Sequence, residues 1–181
     1  MDRSRRTNRP PARAAALALL AGLLLALVAP ASCSNDDDTS DPTQPPEEEV
    51  KAAYLAYRGL VQRLLESPNP DDPELADFST GENLEFLKAQ LESLQSQNRA
   101  LQFGSRYSVD IVAVTVTGSA AIIQDCTVDD AQTIDMTSGA VVSEGITTEL
   151  LEAVLSEEGG HWRVSSIERL GQWEGDVPCE D

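Results

Sequence analysis

The chain has 181 residues and a formal net charge of −18, with 13 basic and 31 acidic side chains. Residues 1–32 carry five of the arginines and one of the acidic residues, so the remaining 149 residues have a net charge of −22. Phosphate binding needs clustered Lys and Arg, and a field this negative repels a polyanion. The composition therefore excludes nucleic acid as a partner of the folded part.

The amino terminus has the pattern of an export signal. Basic side chains between Arg3 and Arg13 precede an uninterrupted run of 15 Ala, Leu, Val and Gly residues, from Ala14 to Val28. A helix needs roughly 20 apolar residues to span a bilayer, so this run is too short for a permanent anchor. We predict that residues 1–32 are a signal peptide that is removed during export.

The segment Pro30-Ala31-Ser32-Cys33 resembles the lipobox of bacterial lipoproteins, although Pro30 stands where that motif usually has Leu, Val or Ile. The resemblance implies lipid on Cys33. Two acyl chains there would anchor the protein firmly to the extracytoplasmic face of the cell membrane. The alternative is ordinary secretion after a cut near Ala29 or Ala31, and the arginine pair Arg5-Arg6 leaves the export route open.

Residues 33–46 are predicted to be a disordered tether. They contain four Asp and three Pro but no large apolar residue, so they cannot bury enough surface to become ordered. The folded domain is predicted over residues 47–181. If Cys33 carries lipid, Cys126 and Cys179 remain, and two cysteines in an exported protein predict a disulfide. Closing that loop would stabilise the fold by about 4 kcal/mol.

Two segments are predicted to be long helices. From Glu47 to Glu66, acidic residues suit the helix N-terminus, and apolar residues follow at helical spacing: Val50, Tyr54, Tyr57, Val61 and Leu64. Prolines 68, 70 and 73 then interrupt the helix, with a short helical turn near residues 74–78. Ser79 and Glu82 have the spacing of a capping box for the second helix, which continues to near Arg99.

From Tyr107 onward the apolar period changes to two, which is typical of strands. We predict one hairpin over residues 107–117 and 119–129 with its turn at Gly118, and another over residues 147–156 and 162–170. A short strand pair is predicted over residues 133–142. Helices followed by strands predict a single α+β domain, with the two long N-terminal helices packed on a curved antiparallel sheet.

Several residues resemble the NTF2-like superfamily of cone-shaped α+β domains, in particular its secreted actinobacterial lipoproteins. They are Asp125-Cys126 in a strand, the late Cys179, and the residues Gly159, Gly160, Trp162 and Val164 of the last hairpin. The resemblance covers residues 47–179 and implies a fold more than a function, because one fold hosts many activities. It also implies that the domain could form a homodimer through its sheet.

Few residues carry recognisable chemistry. The single histidine, His161, lies in a Gly-rich turn where we expect it to be solvated, and no phosphate-binding Gly-rich motif occurs. We therefore predict no metal and no cofactor. Related enzymes of the ketosteroid isomerase type use a pocket carboxylate and a tyrosine, for which the candidates here are Tyr54, Tyr57, Asp110, Asp125, Glu149 and Glu152.

Strand alternation places Asp110 on the same face as Val112, Val114 and Val116, and Asp125 on the face opposite Cys126. The simpler interpretation is that the tyrosines seal the helix against the sheet and that the strand carboxylates face solvent. We therefore expect a lipid-anchored, non-catalytic module that binds a small apolar molecule or an envelope protein. The alternative is an isomerase or dehydratase with a carboxylate and a tyrosine in an open pocket.

Overall fold

A computed structural model describes residues 47–179, which form a mixed α+β domain with curved antiparallel sheets, as predicted. The predicted signal peptide, Cys33 and the tether lie outside the described residues. Within residues 47–179, no helix is both long enough and apolar enough to cross a membrane. The elements are the helices α1 (Glu47–Glu66), α2 (Leu75–Phe78) and α3 (Gly81–Ser96) and the strands β1 (Arg99–Gln102), β2 (Ser108–Thr117), β3 (Ala120–Asp129), β4 (Gln132–Asp135), β5 (Val141–Ser143), β6 (Thr147–Glu158) and β7 (His161–Glu174).

Helix α1 contributes much of the hydrophobic core. Its first turn contains three glutamates, whose charges favour the positive end of the helix dipole. One face is buried against the sheet and includes Val50, Tyr54, Tyr57, Leu60, Leu64 and Leu65. Tyr54 and Val50 are completely buried. This face places tyrosine side chains directly over the strands.

The start of helix α3 differs from the prediction. Thr80 is the N-cap residue and makes no capping hydrogen bond through its side chain, so the predicted capping box of Ser79 and Glu82 is wrong. Ser79 is instead buried and forms a parallel bridge with Val164 of β7. The backbone N–H of Thr80 donates to the carbonyl of Val164 at 2.9 Å. Attachment to the sheet therefore determines where this helix begins.

The main sheet has the strand order β2-β3-β6-β7, and all its neighbouring strands are antiparallel. Gly118 adopts a positive φ of 58° between β2 and β3, which confirms the predicted turn. Gly159 and Gly160 form the turn of the β6–β7 hairpin with φ values of 63° and 81°. Both predicted hairpins are therefore present.

A second sheet has the order β1-β4-β5. The β4–β5 pair agrees with the short strand pair predicted over residues 133–142. Strand β1 was not predicted, because helix α3 was expected to continue to near Arg99. The helix ends at Ser96, and β1 begins at Arg99. Asn98 has a positive φ of 54° between the two elements, and Arg99 then pairs with Asp135. A strand of four residues whose partner lies far along the chain leaves little periodic signal.

A β-bulge in β2 corrects the predicted position of Asp110. The pairing with β3 shifts register between Ile111 and Ala113. A one-residue shift moves the following side chains to the other face of the strand. Asp110 precedes the bulge and is exposed, whereas Val114 and Val116 follow it and pack against the core. The prediction that Asp110 shares a face with these two valines is wrong.

The carboxyl terminus is held on the outer face of the main sheet. Cys126 of β3 and Cys179 form the predicted disulfide, with Cα atoms 5.8 Å apart. The hydroxyl of Thr148 donates to the carbonyl of Gly175 at 2.9 Å and accepts from the N–H of Val177 at 3.1 Å. The C-terminal segment that makes these bonds covers Thr148, which is fully buried.

Candidate functional site

A cavity of about 660 Å³ lies between helices α1 and α3 and the inner face of the sheets. A volume of this size is within the usual range for small-molecule sites. Helix α1 lines it with Val61 and Leu65, and helix α3 lines it with Phe86 and Leu87. The strands add Leu101, Leu151 and Ile167, and Phe103 lines the cavity just after β1. Polar and charged side chains complete the lining, so the wall is mixed, with apolar area in the majority.

Arg58 of helix α1 lies at the polar end of this cavity and organises the groups around it. One nitrogen, Nη1, donates to the hydroxyl of Tyr54 at 3.2 Å and to Asp125 Oδ2 at 3.3 Å. The other, Nη2, donates to the hydroxyl of Thr127 at 3.1 Å and to that of Tyr107 at 3.3 Å. The guanidinium thus joins helix α1 to strand β3 and to the residue that precedes β2.

Asp125 is fully buried, but its carboxylate is well satisfied. The hydroxyl of Tyr54 donates to Oδ2, and that of Thr127 donates to Oδ1 at 2.5 Å. A buried carboxylate is costly unless it is both ion-paired and hydrogen-bonded. Arg58, whose side chain is only 13% exposed, provides the opposite charge. Asp125 is therefore a stable, charge-balanced centre.

The shifted pKa values follow from this arrangement. Burial raises the pKa of the Tyr54 hydroxyl far above its usual value, Arg58 opposes the rise, and Asp125 adds to it. Burial by itself lowers the pKa of Arg58, but the neighbouring Tyr54, Tyr107 and Asp125 raise it by more. At neutral pH the centre therefore consists of a neutral tyrosine and a permanently charged arginine.

Tyr57 belongs to a second buried network. Its hydroxyl accepts from Asn83 Nδ2 at 3.0 Å, and the same amide nitrogen donates to the Ser79 hydroxyl at 2.7 Å. That hydroxyl donates in turn to the carbonyl of Val164 at 3.3 Å. Burial raises the pKa of Tyr57 to about 12, against the lowering effect of its bond with Asn83. This chain connects both long helices to β7.

Charged side chains also line the cavity. Arg169 of β7 donates to Glu149 Oε1 of β6 at 2.9 Å, which makes a partly exposed ion pair. Two further carboxylates, Glu82 and Asp129, line the cavity. Within residues 47–179, neither of them has a Lys, Arg or His nitrogen within 4.0 Å.

The structure places the predicted pocket candidates in different environments. Tyr54 and Asp125 are in direct contact, but neither lines the cavity, because Arg58 lies at its wall in front of them. Tyr57 and Glu149 do line it. Asp110 is exposed outside the site. Glu152, on the outer face, accepts from Gln124 Nε2 at 2.9 Å.

Three important residues were not predicted: Arg58, Asn83 and Tyr107. Arg58 follows Tyr54 by four residues, so the two share a helix face, and this spacing was the available signal. Asn83 lies among the leucines of α3 and is only 5% exposed. Nothing local distinguishes it from a surface residue.

The remaining residues contribute little chemistry. His161 is exposed in the β6–β7 turn, and Trp162 is buried in the core. Across residues 47–179, no three His, Cys, Asp or Glu side chains are placed to hold a metal ion together. The arrangement of the site can bind an apolar body and offer hydrogen bonds at one end.

No protein-family model matches the sequence, and no curated protein matches it. Among solved structures, the chain is similar to the intermembrane space region of the chloroplast protein ARC6, with a TM-score of 0.54 and 13% identity. That likeness covers 67% of this chain and 95% of the other. At this identity it shows a shared fold and nothing about function.

A weaker likeness is to a protein described as a scytalone dehydratase from Novosphingobium aromaticivorans. The TM-score is 0.40 at 12% identity, and the likeness covers 72% of this chain and 88% of that one. It is too slight to support an argument about either fold or activity. The class defined by fold and site is thus an α+β domain with a largely apolar cavity and a charge-balanced polar end.

Proposed function

We propose that this protein is a lipid-anchored lipoprotein of the cell envelope whose NTF2-like domain binds a small apolar molecule without catalysing a reaction. The observation that carries the binding role is the open, largely apolar cavity between α1, α3 and the sheets. Apolar contact provides affinity in such sites, and a few polar groups orient the ligand. Here those groups are Arg58, Tyr57, Tyr107 and Asn83.

The position of Asp125 supports a non-catalytic role. An isomerase or dehydratase of the ketosteroid isomerase type needs a carboxylate that can reach the substrate. Asp125 is fully buried, it accepts from Tyr54 and Thr127, and it pairs with Arg58. Asp125 accepts three hydrogen bonds and does not line the cavity, so it cannot reach a ligand there. The carboxylates that do line the cavity, Glu82, Asp129 and Glu149, have no hydrogen bond to a tyrosine hydroxyl within residues 47–179, so we prefer binding over catalysis.

The envelope location is supported by the sequence and by one feature of the fold. The predicted signal peptide and Cys33 are the basis for export and lipid anchoring. The disulfide between Cys126 and Cys179 suits an oxidising compartment outside the cytoplasm. The NTF2-like assignment is supported by the order of helices and strands and by the Gly159-Gly160 turn before the buried Trp162.

Binding of an uncharged fluorescent probe, 1-N-phenylnaphthylamine, to the purified protein tests this proposal. Its emission rises in an apolar cavity. Ser166 lines the cavity, so Ser166→Phe should fill part of it and weaken probe binding by about tenfold. Ser143→Phe makes the same change on an exposed strand outside the cavity, and it should bind the probe like the wild type.

Saturable binding that Ser166→Phe weakens and Ser143→Phe does not would support a ligand-binding cavity. Equal binding by all three proteins would place the probe elsewhere and contradict the proposal. Absence of binding by the wild type would also contradict it. The search should then turn to an envelope protein as the partner.

A further inference from the structure

The charges around the cavity are unevenly balanced. Arg58 and Arg169 line it, and each already has an acidic partner. Arg58 pairs with the buried Asp125 at 3.3 Å, and Arg169 pairs with Glu149 at 2.9 Å. The charge of each arginine is therefore balanced by its own partner, although Arg169 is about half exposed and uses one N–H group on Glu149.

Two lining carboxylates remain. Glu82 is exposed on the first turn of α3, and Asp129 is half-buried at the end of β3. Asp129 Oδ1 accepts from the N–H of Ala131 at 2.9 Å, which leaves its charge uncompensated. Within residues 47–179 neither carboxylate has a cationic partner. Three carboxylates, Glu82, Asp129 and Glu149, thus line the cavity against two arginines, and this net lining charge of −1 favours cations over anions.

Aromatic rings in the same wall favour a cation as well. Phe86 is 65% exposed although it is a large apolar side chain. Phe103 lines the cavity too and packs edge to face on Tyr107 with their centroids 4.7 Å apart. The Tyr107 hydroxyl already accepts from Arg58, so Phe86 and Phe103 are the rings left for a bound cation. Ring faces attract ammonium groups, and quaternary ammonium ligands are commonly recognised by such rings.

We infer that the cavity selects positively charged apolar molecules of the alkylammonium class and rejects anionic amphiphiles of the same length. This inference rests on the proposed binding function. The apolar chain would lie against Leu87, Leu151 and Ile167. The ammonium group would face Phe86 and the carboxylates of Glu82 and Asp129. A fatty acid would be disfavoured, because its carboxylate would meet the same negative field.

Isothermal titration calorimetry with three octyl compounds tests the inference: octyltrimethylammonium, 1-octanol and octyl sulfate. The chains are identical, so differences in affinity report the head group. Octyltrimethylammonium should bind at least about tenfold tighter than octyl sulfate at low ionic strength, since the field acts in opposite directions on the two. The difference should shrink at about 1 M salt, where the screening length is about 3 Å.

A pair of matched variants tests which carboxylates are responsible. Glu82→Gln combined with Asp129→Asn removes both charges and keeps the side-chain oxygen that accepts from Ala131. This double variant should bind octyltrimethylammonium no more than about threefold tighter than octyl sulfate. Glu85→Gln combined with Glu92→Gln makes the same change in net charge at exposed α3 positions outside the cavity. This control should keep the wild-type preference.

The outcomes separate this inference from the proposed function. Failure of all three octyl compounds to bind would overturn both. Binding of 1-octanol together with equal affinities for the two charged compounds, or with tighter binding of octyl sulfate, would overturn the charge selection alone. An equal loss of preference in both double variants would assign the effect to net charge and overturn the role of Glu82 and Asp129.

Discussion

Arg58 Nη1 lies 3.3 Å from the Asp125 carboxylate, and this ion pair joins helix α1 to strand β3 inside the protein. The carboxylate is fully buried and the arginine side chain is nearly so. Because the pair closes the polar end of the cavity, it separates the Tyr54–Asp125 contact from any ligand. The pair therefore belongs to the core at Asp125 and to the cavity wall at Arg58.

Removing the arginine should destabilise the fold strongly. Arg58→Met leaves Asp125 buried without a counter-charge, and breaking a buried pair in this way costs about 3 to 5 kcal/mol. Urea denaturation of the purified protein measures the change in the free energy of unfolding. Arg58→Met combined with Asp125→Leu removes both charges and should recover most of that loss. A cost below about 1 kcal/mol for Arg58→Met would show that the pair is not buried in solution.

Stability should fall at alkaline pH because of the buried tyrosines. The pKa of Tyr57 is raised to about 12 and that of Tyr54 is raised further. The unfolded chain loses these protons first, near pH 10, so it binds fewer protons than the folded protein above that pH. The contribution of the two tyrosines to the free energy of unfolding is fully present below about pH 10. Above that pH it decreases by up to about 1.4 kcal/mol per pH unit for each tyrosine.

Urea denaturation at a series of pH values from about 8 to 11.5 checks this expectation. Tyr54→Phe removes one of the two groups, and it should make the decrease above pH 10 about half as steep. The slope is the readout, because the substitution also removes a hydrogen bond to Asp125 and lowers stability at every pH. A wild-type stability that stays constant up to pH 11.5 would contradict burial of the tyrosine hydroxyls.

The network of Tyr57 and Asn83 should contribute measurably to stability. Asn83→Ala leaves the buried hydroxyls of Tyr57 and Ser79 without their shared donor, and it should cost about 2 to 3 kcal/mol. Tyr57→Phe removes one hydroxyl and should cost about 1 kcal/mol. A double-mutant cycle by urea denaturation should show coupling between the two positions. Additive losses of unfolding free energy in the double variant would contradict a hydrogen bond between Tyr57 and Asn83.

Loss of the disulfide should destabilise the domain without changing its fold. The bond closes a loop with a sequence separation of 53, for which the chain-entropy model gives about 4 kcal/mol. Cys126→Ala combined with Cys179→Ala should lower the unfolding free energy by about that amount, with an unchanged circular dichroism spectrum. Mass analysis of peptides from the wild type should find the two cysteines joined. Free thiols at both positions would contradict the pairing.

The predicted lipid anchor can be tested in cells. A clickable fatty acid should label the wild-type protein and leave Cys33→Ala unlabelled, because only a cysteine at the lipobox position accepts the lipid. In membrane fractionation, the wild type should be found in the membrane fraction and Cys33→Ala in the soluble fraction. Cys179→Ala is a matched control that should still be labelled. Equal labelling of the wild type and Cys33→Ala would exclude lipid attachment at this position.

Much of the secondary structure could be predicted because its signals are local. The helical spacing of Val50, Tyr54 and Tyr57 indicated helix α1, and alternation with Gly118 and Gly159-Gly160 indicated both hairpins of the main sheet. Strand β1 could not be predicted in this way. Its four residues follow a leucine-rich helix after only two residues, and only pairing with β4 makes them a strand.

The candidate site was only partly predictable, because it depends on contacts between residues that are distant in the sequence. Asp125 and Tyr54 were candidates, and alternation correctly placed Asp125 opposite Cys126. The position of Asp110 was wrong, because a bulge depends on how two strands pair and does not appear in the alternation of one strand.

The sequence by itself determined the acidic charge, the segments with helical and strand periodicity, and the candidate export signal, since these depend on neighbouring residues alone. Only the tertiary structure decided that Arg58 turns inward to pair with Asp125, which is 67 positions away. An arginine on an amphipathic helix would otherwise keep its charge in water. Packing of α1 on the sheets removes that water and makes the buried carboxylate its best remaining partner.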